Sequence, residues 1–307
     1  MTSQPIICLG AATWDTIFQV DTIPAAGIKV LPTRAVQAAS GMATAAAITI
    51  ARLGGKVELW TRIGADATGE RYAAEVKNEG VNTDFVRKHA GVATPFSSII
   101  VDSEGERAVI PFFDPALPAD PAWLSLDRVA TSSAVMTDMR WPRGAAALLT
   151  EARRVGVPSI LDADTAPLFD LQTLVPLASH VLFSEPALAI YSQKSAPVEA
   201  LLDVASQGTA EVVGVTLGAA GALIWTRATG QVQSIAAPVI QSVDTLNAGD
   251  VWHGTFAWGL VQQWSIEKVV RVANLAAAMK CEVFGGRLGT PTLAELTMRA
   301  EALGLTI

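Results

Sequence analysis

Short apolar runs recur along this chain, each closed by a small or turn-forming residue. The first, Ile6-Ile7-Cys8-Leu9, stops at Gly10 and predicts a strand buried on both faces of a parallel sheet. Runs at 57–60, 134–137, 159–162, 180–183, 212–216 and 222–225 predict further strands. Helical patterns lie between several of them and stop at glycine: 43–53 at Gly54-Gly55, 69–79 at Gly80, and 144–155 at Gly156. Strands alternating with helices predict a doubly wound α/β sandwich. Two stretches break the rhythm. Residues 16–37 and 95–113 are rich in β-branched residues, proline and glycine. Within the second, Ser97-Ser98-Ile99-Ile100-Val101 followed by Asp102-Ser103-Glu104-Gly105 predicts a hairpin turning at 102–106. The two insertions are expected to pair into a small sheet along one edge of a site. No internal repeat or low-complexity linker divides the chain, so one domain over residues 1–307 is expected.

Composition narrows the class. Half of the 307 residues are hydrophobic and 17% are charged, enough to bury a large core and to exclude intrinsic disorder. No apolar stretch is long enough for a membrane span, and residues 1–4 carry no cationic start of a signal peptide. The net charge of −7, with no long basic run, excludes a nucleic-acid or anionic-membrane binder working through its overall field. An anionic substrate must instead be held by a few placed cations. Cys8 and Cys281 lie far apart at neither metal nor redox spacing, which fits a reducing cytoplasm. The abundant alanine predicts helices packed closely over a sheet.

Candidate chemistry concentrates in Asp244-Thr245-Leu246-Asn247-Ala248-Gly249-Asp250, followed by a helical pattern over 251–262. Small residues before a helix leave backbone N–H groups facing outward at its positive end, a ready site for phosphate. Asp250, just inside that end, is placed to take a proton from a hydroxyl attacking phosphorus. Taken alone, Asp244 reads equally as a helix cap and Asp250 as a first-turn acid favoured by the helix dipole. Thr216-Leu217-Gly218-Ala219-Ala220-Gly221 is either a loop suited to close approach by a nucleotide or a plain turn between strands. Ser40-Gly41-Met42-Ala43 is a second small-residue entry into a helix.

Together these segments resemble the ribokinase (PfkB) family of ATP-dependent carbohydrate kinases over essentially the whole chain. The resemblance is carried by Gly10 with Asp15, Ser40-Gly41 with Ala51-Arg52-Leu53-Gly54, Arg62-Ile63-Gly64-Ala65-Asp66-Ala67-Thr68-Gly69, Gly80-Val81-Asn82-Thr83, Thr216 to Gly221 and Asp244 to Asp250. It implies a three-layer α/β/α sandwich with a small β-sheet lid over about residues 12–37 and 95–115. It also implies transfer of the γ-phosphoryl group of ATP, with Mg²⁺, to a primary hydroxyl. Asp250 matches the family's base, and the amides of Asn247, Ala248, Gly249 and Asp250 its anion hole. Asp15, Ser40 and Gly41 match the sugar side. Thr216, Gly218 and Gly221 match the nucleotide loop, and Asn274 a position near the adenine. Asp244 and Thr245 match residues bordering the monovalent-cation (K⁺) site of many members. Lids of this kind sometimes close against a partner subunit, which implies a homodimer.

The chain departs from the family pattern in three places. Asn247 replaces the glycine that opens the anion hole; asparagine tolerates left-handed angles, so the turn is expected to keep its shape while the side chain crowds the phosphate or adds a hydrogen bond. Ser40-Gly41 replaces paired glycines. Ser184-Glu185-Pro186-Ala187 replaces the Asn-x-x-Glu motif linked to Mg²⁺ hydration, with Glu185 displaced.

Within the family the chain is similar to the sulfofructose kinase branch through Thr137-Asp138-Met139-Arg140-Trp141, Leu161-Asp162-Ala163-Asp164-Thr165, Phe183-Ser184-Glu185-Pro186 and Gly285-Gly286-Arg287-Leu288-Gly289-Thr290-Pro291. Arg140 and Lys29 match that branch's sulfonate ligands, a fork and a point charge suited to an anionic head group. Its lid asparagine falls near Pro111. Otherwise Arg140 is a solvated residue at a strand end and Lys29 a guard on an edge strand. The leading expectation is a kinase for a ketohexose-like sugar such as 6-deoxy-6-sulfofructose. The rivals are a neutral-sugar or nucleoside kinase and a catalytically weak nucleotide- or sugar-binding sensor. His253, Trp252, Trp258 and Trp264 read as packing residues.

Overall fold

A computed structural model describes residues 4–307; residues 1–3, part of the stretch read for a signal peptide, lie outside them. The first half of the chain runs β1 (Ile6–Leu9), β2 (Thr13–Gln19), β3 (Arg34–Ser40), α1 (Met42–Arg52), β4 (Val57–Gly64), α2 (Ala67–Asn78), β5 (Val86–His89), β6 (Phe96–Val101), β7 (Arg107–Phe112), β8 (Ala134–Asp138) and α3 (Pro142–Val155). The second runs β9 (Ser159–Ala163), α4 (Leu168–Leu174), β10 (His180–Ser184), α5 (Glu185–Ser192), α6 (Pro197–Gln207), β11 (Val212–Thr216), β12 (Ala222–Thr226), β13 (Gln231–Ile235), α7 (Ala248–Val261), α8 (Ile266–Cys281) and α9 (Leu293–Ala302).

Nine strands form the main sheet in the order β13-β12-β11-β10-β9-β8-β1-β4-β5, all running the same way except β12, which pairs antiparallel with both β11 and β13. Helices cover both faces, the sandwich expected from the alternation. One core packs α1, α7, α8 and α9 on the sheet through residues such as Ile48, Ile50, Phe256 and Val270. The other packs α3 to α6 through Leu148, Leu171, Leu188 and Leu201. The alanines bring backbones together: Ala45, Ala46 and Ala47 of α1 are fully buried, and a Cβ at Gly254 of α7 would lie 2.6 Å from the Ala46 carbonyl oxygen.

The two insertions pair into a four-stranded lid, β3-β2-β6-β7. The hairpin turns where its sequence predicts, with the Asp102 carboxylate accepting from the amides of Glu104 and Glu106. Residues 20–33, expected within the first β insertion, hold no strand, since Pro24, Gly27 and Pro32 interrupt any ladder. Strands β5 and β13 have no apolar run to announce them. Both lie at sheet edges, where one flank meets solvent and polar residues are tolerated.

Candidate active site

At the carboxyl ends of the parallel strands, where the chain switches direction about β1, a cleft of about 730 Å³ opens between sheet and lid. Strand ends deliver Arg140, Asp162, Asp164, Ser184 and Thr216 to it, the lid delivers Asp15, Ser97 and Arg107, and α7 delivers Asn247, Ala248, Gly249 and Asp250. Residues from across the chain, including Ser40, Gly41 and Thr245, therefore line one cavity.

On the lid, Asp15 of β2 is 4% exposed and its Oδ1 has no hydrogen-bond partner. Burial raises its carboxyl above the ordinary range, against the nearby hydroxyls of Ser40, Thr13 and Ser97. A buried acceptor left open in this way is what a substrate hydroxyl would satisfy. Gly41 caps α1 at φ 105°, and a Cβ there would lie 2.5 Å from the Ala11 carbonyl oxygen. Beneath this turn Asp138 ties three segments together. One carboxylate oxygen accepts from the amides of Ala11 and Ala43, at 2.8 and 3.0 Å, and the other from Arg140 at 2.8 Å.

At the start of α7, Asn247 takes φ 60°, the left-handed conformation its residue type permits. The backbone ladder of α7 starts with Val251 N–H donating to the Asn247 carbonyl, so the amides of Gly249 and Asp250 precede it at the positive helix end. The Ala248 amide donates instead to the Thr245 carbonyl at 3.2 Å. The Asn247 side chain adds a hydrogen bond: Nδ2 donates to Asp250 Oδ2 at 2.7 Å, while Oδ1 accepts from the Arg287 amide at 3.1 Å. Burial pushes the Asp250 carboxyl up to about 6, with the Asn247 amide opposing and Asp138, Asp164 and Asp15 adding to it. His253 is 2% exposed, with Nδ1 2.7 Å from the Gly249 carbonyl and 3.3 Å from Asp162 Oδ2. Burial lowers its pKa to about 4, so the imidazole is neutral and helps fix the helix start.

Thr216 ends β11 and lines the cleft, and Gly218 and Gly221 shape the turn beyond it. Gly221 is obligatory at φ 94°, since a Cβ would lie 2.1 Å from the Ile235 carbonyl oxygen. Asn274 is buried behind this region. Its Oδ1 accepts from Trp252 Nε1 and its Nδ2 donates to the carbonyls of Ile235 and Ala236, so it holds the segment after β13 in place.

Other sequence candidates lie elsewhere. Lys29 is exposed within residues 20–33 and does not line the cleft. Glu185 is exposed at the start of α5, while Ser184 lines the cleft and donates to Asp164 Oδ1 at 3.0 Å. Arg140 lines the cleft but is engaged there, with Nη2 2.5 Å from Asp164 Oδ2 and Nη1 donating to the Thr165 carbonyl. Among the described residues no group of three or more His, Cys, Asp or Glu side chains is arranged to hold a metal ion. Asp162 and Asp164 belong to the Leu161-to-Thr165 stretch, and both line the cleft. The signal that exposes them is a polar residue at the carboxyl end of an otherwise apolar parallel strand. Burial raises Asp162 well above the ordinary carboxylate range.

Residues 3–293 match the model of the pfkB family of carbohydrate kinases. The chain belongs to that family. Its ribokinase-like fold is that of a crystal structure from Agrobacterium tumefaciens, of a protein provisionally named a ribokinase: TM-score 0.94, 36% identity, covering 98% of this chain and 99% of that one. A ribokinase of Arabidopsis thaliana complexed with ribose and ATP shares the fold at TM-score 0.82 and 22% identity, covering 96% and 98%. Ribokinase of Bacillus subtilis is 26% identical over 95% of this chain and 97% of its own length. Fructokinase of Vibrio alginolyticus is 25% identical over 81% and 87%. As a pfkB sugar kinase the chain is an enzyme, and among the described residues no helix is long and apolar enough to cross a membrane.

Proposed function

We propose that this kinase transfers the γ-phosphoryl group of ATP to a primary hydroxyl of a neutral sugar of the fructose or ribose type. One observation carries the reading: a buried carboxylate, Asp250, sits on the same helix end as the amides of Gly249 and Asp250, in one cleft with Asp15 and Thr216. The substrate hydroxyl gives its proton to Asp250 as its oxygen bonds to the γ-phosphorus and the bond to the bridging oxygen of ADP breaks. With a pKa of about 6, Asp250 is ionised at neutral pH and ready to accept that proton. The helix-end amides stabilise charge developing on the transferred group. Mg²⁺ carried on the nucleotide would neutralise phosphate charge, and Asp162 and Asp164, oxygen donors at the cleft wall, are the residues that would face it.

The lining supports a neutral sugar. Asp15, Asp162, Asp164 and Asp250 outnumber Arg107 and Arg140, and Arg140 is already paired with Asp164. Sulfofructose is the second reading, favoured by the presence of Arg140 in the cleft with a third of its side chain exposed; a sulfonate would replace Asp164 as its partner. Turnover measured with ribose, fructose, fructose phosphates, sulfofructose and adenosine under saturating ATP and Mg²⁺ decides. We expect ribose or fructose to be used best, with KM little changed in Arg140→Ala. Preference for sulfofructose, with Arg140→Ala raising KM for it alone by on the order of a hundredfold, would establish the second reading. Nucleotide binding without turnover of any acceptor would establish the sensor. We place the enzyme in the cytoplasm, where ATP is supplied, and infer a homodimer through the lid, whose Ile110 and Phe112 are exposed on the face away from the cleft.

A further inference from the structure

The turn that leads into α7 is held from behind by a buried lysine. Lys280, in the last turn of α8, is completely buried. Its Nζ donates to the Asp244 carbonyl oxygen at 2.5 Å and lies 3.5 Å from Asp244 Oδ1. The rest of the Asp244 carboxylate is taken by backbone. Oδ1 accepts from the Leu246 amide, and Oδ2 from the amides of Gly285 and Gly286, each at 2.8 Å. Thr245 is engaged by a second cationic side chain, with Arg107 Nη1 of the lid 2.5 Å from its Oγ1.

The two residues matched to the family's monovalent-cation site are thus each bonded to a cationic side chain. A potassium ion against the same oxygens would meet the Lys280 ammonium at close range in a dry interior, where like charges repel strongly. These residues do not fit a bound monovalent cation. Burial lowers the Lys280 pKa, and the Asp244 carboxylate beside it opposes that shift and favours the ammonium.

We infer that the Lys280 ammonium is a tethered substitute for the monovalent cation, positioning the turn from Asp244 to Asn247 and hence the amides at the start of α7. The enzyme then needs no added potassium. Lys280 acts through the turn and is a positioning residue; the inference rests on the reading of that turn as the phosphate site.

The test compares potassium chloride with choline chloride at equal ionic strength, reading thermal midpoint and ADP affinity as well as turnover. Wild type is expected to be indifferent in all three. Activation or stabilisation of wild type by potassium, on the order of tenfold or several degrees, would overturn the inference. Lys280→Ala vacates the oxygens. Its midpoint and turnover should fall and be restored by potassium or ammonium but not by choline, a cation dependence that loss of packing alone would not create. Lys280→Gln keeps most of the volume without the charge, so it should fold and lose on the order of a hundredfold in kcat as the turn shifts. Unchanged kcat in that variant, or indifference of both variants to every cation, would refute the role. The midpoint and ADP measurements need no sugar, so they stand apart from any failure to find the phosphate acceptor.

Discussion

Asp250 and Asn247 decide how the site responds to pH. Asp250 must be ionised to accept a proton, so kcat/KM should fall roughly tenfold for each unit below a midpoint near 6. Asp250→Asn should lose on the order of a thousandfold or more in kcat while still binding ATP in a calorimeter; an unimpaired variant would remove the base from the mechanism. The same carboxyl has a stability signature of known sign. Folded, it keeps its proton up to about pH 6, whereas unfolded it releases it near its ordinary 3.8. The native state therefore binds more protons across that window, and stability falls as pH rises through it. Urea unfolding should show Asp250→Asn more stable than wild type at pH 8 by up to about 3 kcal/mol, with the gain closing towards pH 4. Asn247 works in the opposite direction, since its donated hydrogen bond favours the ionised form. Glycine accepts φ 60° without cost, so Asn247→Gly should keep the turn, lose the donor and move the acidic limb of the rate profile to higher pH. An unmoved limb would show that the hydrogen bond does not tune the base.

Among the elements, the entry to α1 has the least freedom. Gly41→Ala places a Cβ 2.5 Å from the Ala11 carbonyl at φ 105° and should cost about 3 kcal/mol or more in chemical unfolding, with sugar-side activity lost. Gly230 at φ 67° faces open space, and alanine there should cost only about 1 kcal/mol. Equal costs would mean that the contact with β1's exit, rather than φ alone, is unimportant. Helix stops were legible in the sequence because their cause is local: Gly54, Gly80 and Gly156 all take positive φ where the periodicity ends. The turn from Asp244 to Asp250 was legible for the same reason. Asp138, Lys280 and Arg287 as supports of the site were not. The Arg287 guanidinium bonds the Ala39 carbonyl, Glu75 and Glu79 from far along the chain, and no local pattern encodes such a meeting. Lys29 shows the converse. Its match to a lysine of the sulfofructose kinase branch implied a substrate contact, but two prolines and a glycine keep residues 20–33 out of the sheet and Lys29 does not line the cleft.

For the molecule as a whole, a net charge of −7 gives no long-range attraction for a nucleotide, so the proposed function leaves capture to the cleft's own arginines and helix-end amides. The lid's outer residues argue for association, since Ile110 is 65% and Phe112 42% exposed on the face turned away from the cleft. Light scattering should give twice the chain mass for wild type and the single mass for Ile110→Glu; a monomeric wild type at assay concentration would end the dimer reading. The lid's construction also bears on how such enzymes can be recombined. Its inner pair joins β2 with β6 in parallel, one from the segment between β1 and α1, the other from the segment between β5 and β8. Neither segment closes a sheet alone. A chimaera that imports one insertion from a relative would break the ladder at its centre, so substrate preference carried by the lid is inherited as a two-part cassette or not at all.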